Sequence, residues 1–378
     1  MDAKKYLIIP SVPTPNGGLH LGHIAGPYLR ADILARHLRM QGHHVNLVCG
    51  TDSYDSYVTY QAHLEQKTEL EICHRYHKQI KSDLDGMNIG YDQFVNPVSQ
   101  KWCEQYKQQQ HEIWQLLVQA KAINQQEESI LFDGDKALTD VWLKGNCPVC
   151  EAAVQGLFCE ACGSHFKPQD VKNAYPTLTT KQQHILCKKI THHYLQLPQR
   201  APPLHQQGIS SDVEKKFADF LQHQQHQLRL TNNTHWGIAH NDLSTKQPQR
   251  FFNYGFVYAY FLMLANTVKQ QVNAFAHDSN VTTIASFGHD NAIVFLASIL
   301  GITYHLPNLK PFDAYLVNQF LLLDNEKFST SRRHAIWVDN ITQSHDVDVV
   351  RYFLTTIDIN QQSGNFSRQY FDDFIGIL

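Results

Sequence analysis

Two histidines at a spacing of three, His20 and His23, could do chemistry together. On the first turn of a helix they would lie on one face, and Gly22 between them would leave backbone room for a flat ligand. Two neighbouring imidazoles can donate hydrogen bonds to phosphate oxygens whose charge grows during displacement at phosphorus. Two ordinary surface histidines are the competing interpretation, because the chain carries 23 histidines and short motifs also match by chance.

The residues around this pair predict the unit that would position it. A short apolar run at 6–9 predicts a strand, and the proline- and glycine-rich residues 10–18 that follow it forbid regular structure. Apolar residues at helical spacing then predict a helix, which Gly42 ends before a second strand at 45–49. A strand, a glycine-rich turn, a helix and a strand form a βαβ unit, and its loop meets a helix N-terminus that favours phosphate.

This window resembles a known signature. Residues 13–23 resemble the HIGH motif of class I aminoacyl-tRNA synthetases, and the strand that ends at Asp52 resembles the methionyl branch of that family. The resemblance implies that His20 and His23 stabilise the transition state in which the amino-acid carboxylate attacks the α-phosphate of ATP. It also implies that Asp52 holds the α-ammonium group of the amino acid.

A second loop, residues 326–332, carries a lysine and clustered hydroxyl groups after an apolar run. Such a loop can wrap a triphosphate and neutralise the pyrophosphate leaving group. It resembles the KMSKS loop of the same family, which implies catalytic roles for Lys327, Ser329 and Ser331. The second lysine of the family pattern is Thr330 here, and a solvated polar loop is the competing interpretation.

The segment Phe287 to Asp290 resembles the family's Gly-Lys-Asp segment beside the ribose and adenine, with His289 in place of the lysine. A glycine turn that caps the following helix through Asp290 is the competing interpretation. Mg²⁺ would accompany the nucleotide. The resemblance predicts an ATP site that comprises Asn16, Gly18, Gly22, Gly288, Asp290 and Lys327.

The amino-acid pocket departs most from the family pattern. Methionyl enzymes have a tyrosine where this chain has Thr14, a tryptophan near the position of Gly255, and a histidine where Phe295 aligns. Because replacing whole rings reshapes an apolar pocket, the sequence leaves the amino acid open. Ordinary core packing is the favoured interpretation for Phe256 and Tyr260. The predicted amino-acid site comprises Val12, Thr14, Asp52, Gly255, Tyr258 and Phe295.

Four of the eight cysteines form two CxxC pairs, Cys147 with Cys150 and Cys159 with Cys162. Each pair can place two thiolates about a tetrahedral ion, and a Cys₄ shell leaves no open position, so the predicted Zn²⁺ is structural. Disulfides or free thiols are the alternative. The cluster resembles the zinc knuckle in the connective peptide of methionyl-tRNA synthetases.

The composition, 43% hydrophobic and 18% charged over 378 residues, is that of an ordinary soluble globular protein. A formal net charge of −3 gives no overall attraction to nucleic acid, so RNA contacts would depend on local patches. No apolar run approaches the ~20 residues of a membrane span. Clustered cysteines are typical of metal binding in a reducing compartment, which predicts a cytoplasmic protein.

The predicted fold is an α/β Rossmann-type parallel sheet, split by a connective peptide with a zinc knuckle and followed by a short helical stem-contact region. Residues 1–120 and 235–310 would form the two halves of the Rossmann domain, and residues 121–234 the insertion. Residues 311–378 would hold the KMSKS-like loop and the stem-contact region. Residues 91–94 predict a short connection near the sheet. In the family a helical anticodon-binding domain follows this core, and Leu378 lies about where that domain would begin. The chain is then expected to be either a truncated synthetase or a free-standing catalytic paralogue, and a free-standing core is not expected to read an anticodon in the usual way.

The predicted activity is ATP-dependent formation of an aminoacyl-adenylate with release of pyrophosphate, followed by transfer to the acceptor end of tRNA. Two alternatives stay open: transfer to a non-tRNA acceptor, such as a carrier-protein thiol or a small amine, and a non-catalytic paralogue that binds an amino acid or nucleotide. The intact His20, His23 and Asp52 argue against the last, whereas Thr330 and the altered pocket argue for it. The sequence does not determine the oligomeric state.

Overall fold

Five parallel strands form a central sheet that organises the chain. In spatial order they are Gln93–Val95, His44–Gly50, Lys5–Pro10, Val281–Gly288 and Ala314–Asn318. The computed structural model describes residues 2–159, 161–178, 185–240, 249–268, 273–328 and 334–377. The α/β class and the parallel sheet that the sequence predicts are confirmed.

Strand Lys5–Pro10 lies at the centre of the sheet because its side chains are apolar on both faces. Residues 7–9 are fully buried, as expected of a parallel strand that is covered on both sides. The next strand in the chain, His44–Gly50, pairs on one side of it, and Val281–Gly288 pairs on the other. The strand order therefore reverses here, and ligands of open α/β sheets bind outside the carboxyl ends of the strands at such a switch point.

The edge strand Gln93–Val95 differs from the sequence-based expectation of a connection at residues 91–94. It pairs in parallel with the end of His44–Gly50. A strand of three residues is too short for an alternating pattern to be recognised in the sequence. Asp92 fixes where the pairing begins, because its carboxylate accepts a hydrogen bond of 2.7 Å from the Leu47 N–H.

Helices connect the strands, and their termini carry the usual local signals. Gly42 follows the first long helix with a φ of +84°, which favours glycine. Thr68 and Glu71 form a capping box at the start of Glu69–Gly86. The described helices of seven residues or more are Leu29–Met40, Ser56–Glu65, Glu69–Gly86, Cys103–Gln119, Ser211–His223, Val257–Ala265, His289–His305, Val338–Ser344, Val347–Thr355 and Arg368–Ile377. None of the helices in the described ranges combines the length and the apolar character that crossing a membrane requires.

Antiparallel sheets interrupt the parallel sheet between Gln93–Val95 and Val281–Gly288. The larger one has the spatial order Gln227–Arg229, Ile185–Gln196, Ile123–Asp133 and Lys136–Ala137. The smaller one, which leads into the cysteine pairs, has the order Ala153–Gln155, Leu143–Asn146 and Lys172–Pro176. Thr231–Asn232 pairs with Arg250–Phe251 where the chain returns to the central parallel sheet. An insertion therefore splits the sheet, while the domain bounds given above stay predictions.

A small C-terminal sheet supports the lysine-bearing loop. It has the spatial order Glu326–Lys327, Leu321–Leu323 and Gly364–Phe366. Phe353 and Phe366 pack edge to face beneath it, with ring centroids 5.3 Å apart. An ion pair of 2.6 Å between Arg351 and the buried Asp32 joins this region to the first long helix. This ion pair attaches the region that carries Lys327 to the helix that follows the histidines.

Candidate active site

The two histidines lie on a short turn directly after strand Lys5–Pro10 and its loop. His20 is the N-cap of the helical turn Leu21–His23, and the chain then kinks at Gly26 and Pro27 before the long helix begins. Proline cannot donate a helical hydrogen bond, so a kink at this point is expected. The two imidazole rings stack with centroids 3.7 Å apart and an interplanar angle of 14°.

Reciprocal hydrogen bonds fix the orientation of both rings. The His23 N–H donates to His20 Nδ1 at 3.4 Å, and the His20 N–H donates to His23 Nδ1 at 3.3 Å. Because each Nδ1 accepts a hydrogen bond, each neutral ring carries its proton on Nε2. The turn therefore holds two neighbouring Nε2–H donors, which is the chemistry that phosphate oxygens require.

Both histidines are neutral near pH 7. Burial, reinforced by the adjacent His23, lowers the pKa of His20 to about 2, and the residue is only 9% exposed. His23 is exposed along one edge, yet protein atoms crowd its ring, and desolvation lowers its pKa to about 4. Neutral rings donate without adding a positive charge to the site.

The buried His20 ring gives the stability of the protein a predictable pH dependence. Since the native ring stays neutral while the unfolded one takes up a proton below pH ~6.5, the free energy of unfolding should fall by about 1.4 kcal/mol per pH unit from this group between pH 6.5 and pH 4. Urea denaturation of His20→Asn at pH 7.5 and pH 5 should show a shallower pH slope than the wild type. The exposed His37→Asn variant is the control, and equal slopes for all three proteins would contradict the prediction.

The space beside Gly22 is filled by protein, which differs from the sequence-based expectation of room for a flat ligand. A Cβ atom at this position would lie 3.0 Å from the His20 ring and 3.3 Å from Phe328. The Phe328 ring stacks on His20 with centroids 4.8 Å apart. Glycine is therefore needed here so that the His20 ring can fold back over the turn, and Phe328 covers that ring from the lysine-bearing loop.

Asp52 lies at the end of the neighbouring strand His44–Gly50, facing the loop that precedes the histidines. Its N–H donates to the Pro13 carbonyl at 2.9 Å. Its two carboxylate oxygens both accept from Asn253 Nδ2 at 2.6 Å. Burial and the neighbouring Asp55 raise the pKa of Asp52 well above its usual range, and an ammonium group bound beside it would favour the ionised carboxylate.

A cavity of about 650 Å³ adjoins Asn253, between the central parallel sheet and the insertion. Asp55 lines it as the N-cap of Ser56–Glu65, with its carboxylate bound to the Tyr57 N–H and the Tyr254 hydroxyl. This volume is in the range of small-molecule sites. The rest of its wall is aromatic and amide-rich, and includes Tyr54, Trp142, Asn232, Asn233, Trp236 and Phe252.

Sequence analysis missed Asn253, Tyr254 and Asp55. Asn253 is 201 residues away from its partner Asp52, so no local spacing could have connected the two residues. Asp55 had a weak signal, since an aspartate just before a helix predicts an N-cap. These contacts form only when the chain returns from the insertion to the central sheet.

Tyr258 and Phe295, which the sequence predicts for the amino-acid site, lie in the main apolar core and do not line this cavity. Tyr258 is fully buried and its hydroxyl donates to the Lys310 carbonyl. Phe295 is 3% exposed and packs against Phe287. A side chain at Gly255 would collide with the Arg229 carbonyl, 2.6 Å from its Cβ. Val12 is buried and Thr14 half-buried near the loop.

Of the predicted ATP residues, Gly288 and Asp290 lie where Val281–Gly288 ends and the next helix begins. Gly18 lies against Asp83, and Gly22 lies against His20 and Phe328. Gly288 is the N-cap of the following helix, and Asp290 is the acidic residue of its first turn, with Oδ1 close to Gly288. Lys327 Nζ lies 4.2 Å from the centroid of the Phe320 ring, which also contacts His289 edge to face at 4.3 Å. Lys327 and His289 therefore both contact the Phe320 ring. Ser329, Thr330 and Ser331 lie outside the described residues.

The four cysteines of the insertion form the cluster that their spacing predicts. Their sulfur atoms all lie within 4.8 Å of one another, with Cys147 to Cys162 at 3.7 Å and Cys150 to Cys159 at 3.5 Å. Tetrahedral Zn–S bonds of about 2.3 Å place sulfur atoms about 3.8 Å apart. The cluster therefore fits Zn²⁺, which would cross-link the two CxxC turns and stabilise them.

A parallel sheet that is split by an insertion and carries a stacked histidine pair at its switch point is an α/β architecture whose ligands bind at the carboxyl ends of the strands. The family described as tRNA synthetases class I (M) matches residues 6–375, and the chain belongs to this family. Mg²⁺ and the roles of individual site residues stay predictions.

Relatives and solved structures agree with this assignment. The chain is 28% identical over 385 residues to methionine–tRNA ligase of Methanococcus aeolicus, covering 98% of this chain and 55% of the relative. For the Pyrococcus horikoshii ligase the identity is 28% over 391 residues, with 96% and 53% covered. The chain thus spans about half the length of the curated relatives it matches. Its fold is similar to that of Mycobacterium tuberculosis methionyl-tRNA synthetase in complex with methionyl-adenylate, with a TM-score of 0.70, 15% identity, and 99% of this chain and 68% of the other covered.

Proposed function

We propose that this chain activates an amino acid with ATP and transfers it to the acceptor end of tRNA. The observation that carries the proposal is the neutral, stacked pair of His20 and His23 at the switch point, with Asp52 at the end of the adjacent strand. The relatives named as methionine–tRNA ligases make methionine the first candidate for the amino acid.

In the first step the amino-acid carboxylate attacks the α-phosphorus of ATP. A P–O bond forms to the carboxylate, the bond to the β-phosphate bridging oxygen breaks, and pyrophosphate leaves. Negative charge grows on the α-phosphate oxygens, and the Nε2–H groups of His20 and His23 stabilise it as preorganised donors. Asp52 orients the amino acid through its ammonium group, and Lys327 contributes positive charge toward the leaving group.

In the second step a ribose hydroxyl at the tRNA end attacks the carbonyl carbon of the adenylate. An ester forms, the bond to the phosphate oxygen breaks, and AMP leaves, with its phosphate taking up the proton of the attacking hydroxyl. The cavity beside Asn253 opens between the central sheet and the insertion. This location would allow an acceptor end to approach between the two regions.

Replacement of Asp52 by asparagine should weaken amino-acid binding by removing the charge that pairs with the ammonium group. A hydrogen bond to a charged group is worth about 1.5–3 kcal/mol, so the amino-acid KM in ATP–pyrophosphate exchange should rise by about 10- to 150-fold. Asp55→Asn is a matched control, since asparagine also caps helices and can accept from Tyr254. Equal effects of the two variants would argue against ammonium binding by Asp52.

The function itself is tested by ATP–pyrophosphate exchange with each of the twenty amino acids, using a His20→Ala/His23→Ala variant as the inactive control. We expect exchange with one amino acid, methionine first, and its loss in the control. Charging of total tRNA then tests the second step. Exchange without charging would indicate a different acceptor, and no exchange with any amino acid would overturn the proposal.

A further inference from the structure

The backbone just before His20 is fixed by two elements that are distant in the sequence. The Leu19 N–H donates to the Asp83 carboxylate, with Oδ2 at 2.7 Å, and the Leu19 carbonyl accepts from the Val338 N–H at 3.0 Å. Leu19 itself is 3% exposed. Because these bonds hold two successive peptide planes, they set the direction in which the His20 side chain leaves the backbone.

Asp83 is buried, and its carboxylate is oriented toward the Leu19 N–H. It lies on the helix Glu69–Gly86 and is 4% exposed, and its second oxygen accepts from Gln79 Nε2 at 2.8 Å. A Cβ atom at Gly18 would lie 3.2 Å from Asp83 Oδ2. Glycine at position 18 therefore allows the carboxylate to come close to the loop, and Gln79 orients it.

Docking of the helix alone does not explain a carboxylate at this position. The helix already buries Ile72, Ile80 and Leu84, and an apolar residue at position 83 would add to that packing. Burial raises the pKa of Asp83, which shows that its desolvation carries a free-energy cost. Within the described residues, the backbone N–H that donates to the Asp83 carboxylate is that of Leu19, the residue next to His20.

We propose that Asp83 is a positioning residue of the adenylation site, which fixes the orientation of His20 through the Leu19 N–H. The inference rests on the proposed function, because it assigns Asp83 a role in presenting His20 to the α-phosphate. The reciprocal bonds between His20 and His23 are long, at 3.3 and 3.4 Å. A small backbone shift would break them, since hydrogen bonds weaken steeply beyond such distances.

The first test compares Asp83→Leu, which has no acceptor, with Asp83→Asn, whose side-chain oxygen can still accept from Leu19. A misplacement of about 1 Å at reacting groups can cost about 100-fold in rate. We therefore expect kcat for ATP–pyrophosphate exchange to fall about 100-fold in Asp83→Leu, with the KM for ATP within about threefold. Asp83→Asn should stay within about threefold in both constants. Asp85→Leu, on the exposed side of the same helix, controls for helix substitution.

A second variant, Gln79→Leu, still tests the positioning role if Asp83→Leu does not fold. Gln79→Leu removes the bond that orients the carboxylate but leaves the acceptor, so kcat should fall by about three- to tenfold with an unchanged melting temperature. Wild-type kcat in Asp83→Leu, or equal losses in Asp83→Leu and Asp83→Asn, would overturn the positioning role. If Asp83→Leu does not fold, wild-type kcat in Gln79→Leu has the same consequence.

A spectroscopic readout separates this inference from the proposed function. Long-range ¹H–¹⁵N spectra of the imidazoles, assigned with His20→Gln, report which ring nitrogen carries the proton. Asp83→Leu should convert the Nε2–H pattern of His20 into a tautomer mixture, and Asp83→Asn should retain it. A wild type without exchange activity but with this spectral change would overturn the proposed function and support the positioning role. An unchanged spectrum in Asp83→Leu would overturn the positioning role.

Discussion

Replacing His20 with asparagine should lower kcat for ATP–pyrophosphate exchange by about 100- to 1,000-fold, the usual loss for one preorganised donor to a developing charge. Asparagine can still accept the His23 N–H, as Nδ1 does now, and it is among the best N-cap residues. The turn should therefore keep its structure. What it loses is the donor at the position of Nε2, so the KM for ATP should change little while kcat falls.

Glutamine at the same position should keep the donor but lose the cap. Its amide nitrogen reaches the position of Nε2, but it is a poor cap for the turn. His20→Gln should therefore retain more of kcat than His20→Asn and lose about 1 kcal/mol of stability. Exchange kinetics and urea denaturation of the two variants measure the two effects separately. A fully active His20→Asn protein would show that His20 acts only as a cap.

The local part of this site could be predicted from the sequence because it depends on short-range rules. Apolar strand residues, a loop of prolines and glycines, and a glycine after the helix together predict the βαβ unit, and the structure contains it. The same rules did not predict the stacking of His20 on His23. That arrangement depends on the rotamers of both histidines, which place the Nδ1 atom of each ring against the backbone N–H of the other residue. It also depends on the Phe328 ring, which stacks on His20 from a segment far away in the sequence.

The amino-acid side of the site could not be predicted in the same way, because its contacts join distant segments. Asn253 reaches Asp52 only after the insertion has returned to the sheet. Tyr258 and Phe295 have residue types that suit a pocket, yet burial places both in the main core. Aromatic residues suit pockets and cores equally, so their type alone cannot decide between the two.

Removal of zinc should unfold the insertion around the cysteine cluster, because the apolar core beside it is small. That core consists of seven buried residues, and two of them, Cys147 and Cys159, belong to the cysteine cluster that would bind the metal. Structural zinc sites supply folding free energy of ~10–16 kcal/mol in small peptides. We expect one zinc per chain by elemental analysis. Cys159→Ser should abolish zinc binding and lower the melting temperature, and limited proteolysis should then cut between residues 138 and 176.

Cys187→Ser is the matched control, since Cys187 is exposed and lies outside the cluster. A purified chain without zinc, and with equal melting temperatures for both serine variants, would contradict a structural metal.

The expected effect of zinc also extends to the cavity. Trp142 lines it and donates from Nε1 to Thr59 Oγ1 at 3.1 Å, and the strand Leu143–Asn146 that follows leads directly to Cys147. Loss of the metal should therefore raise the amino-acid KM as well as destabilise the insertion, because one wall of the cavity is continuous with the metal-binding turns.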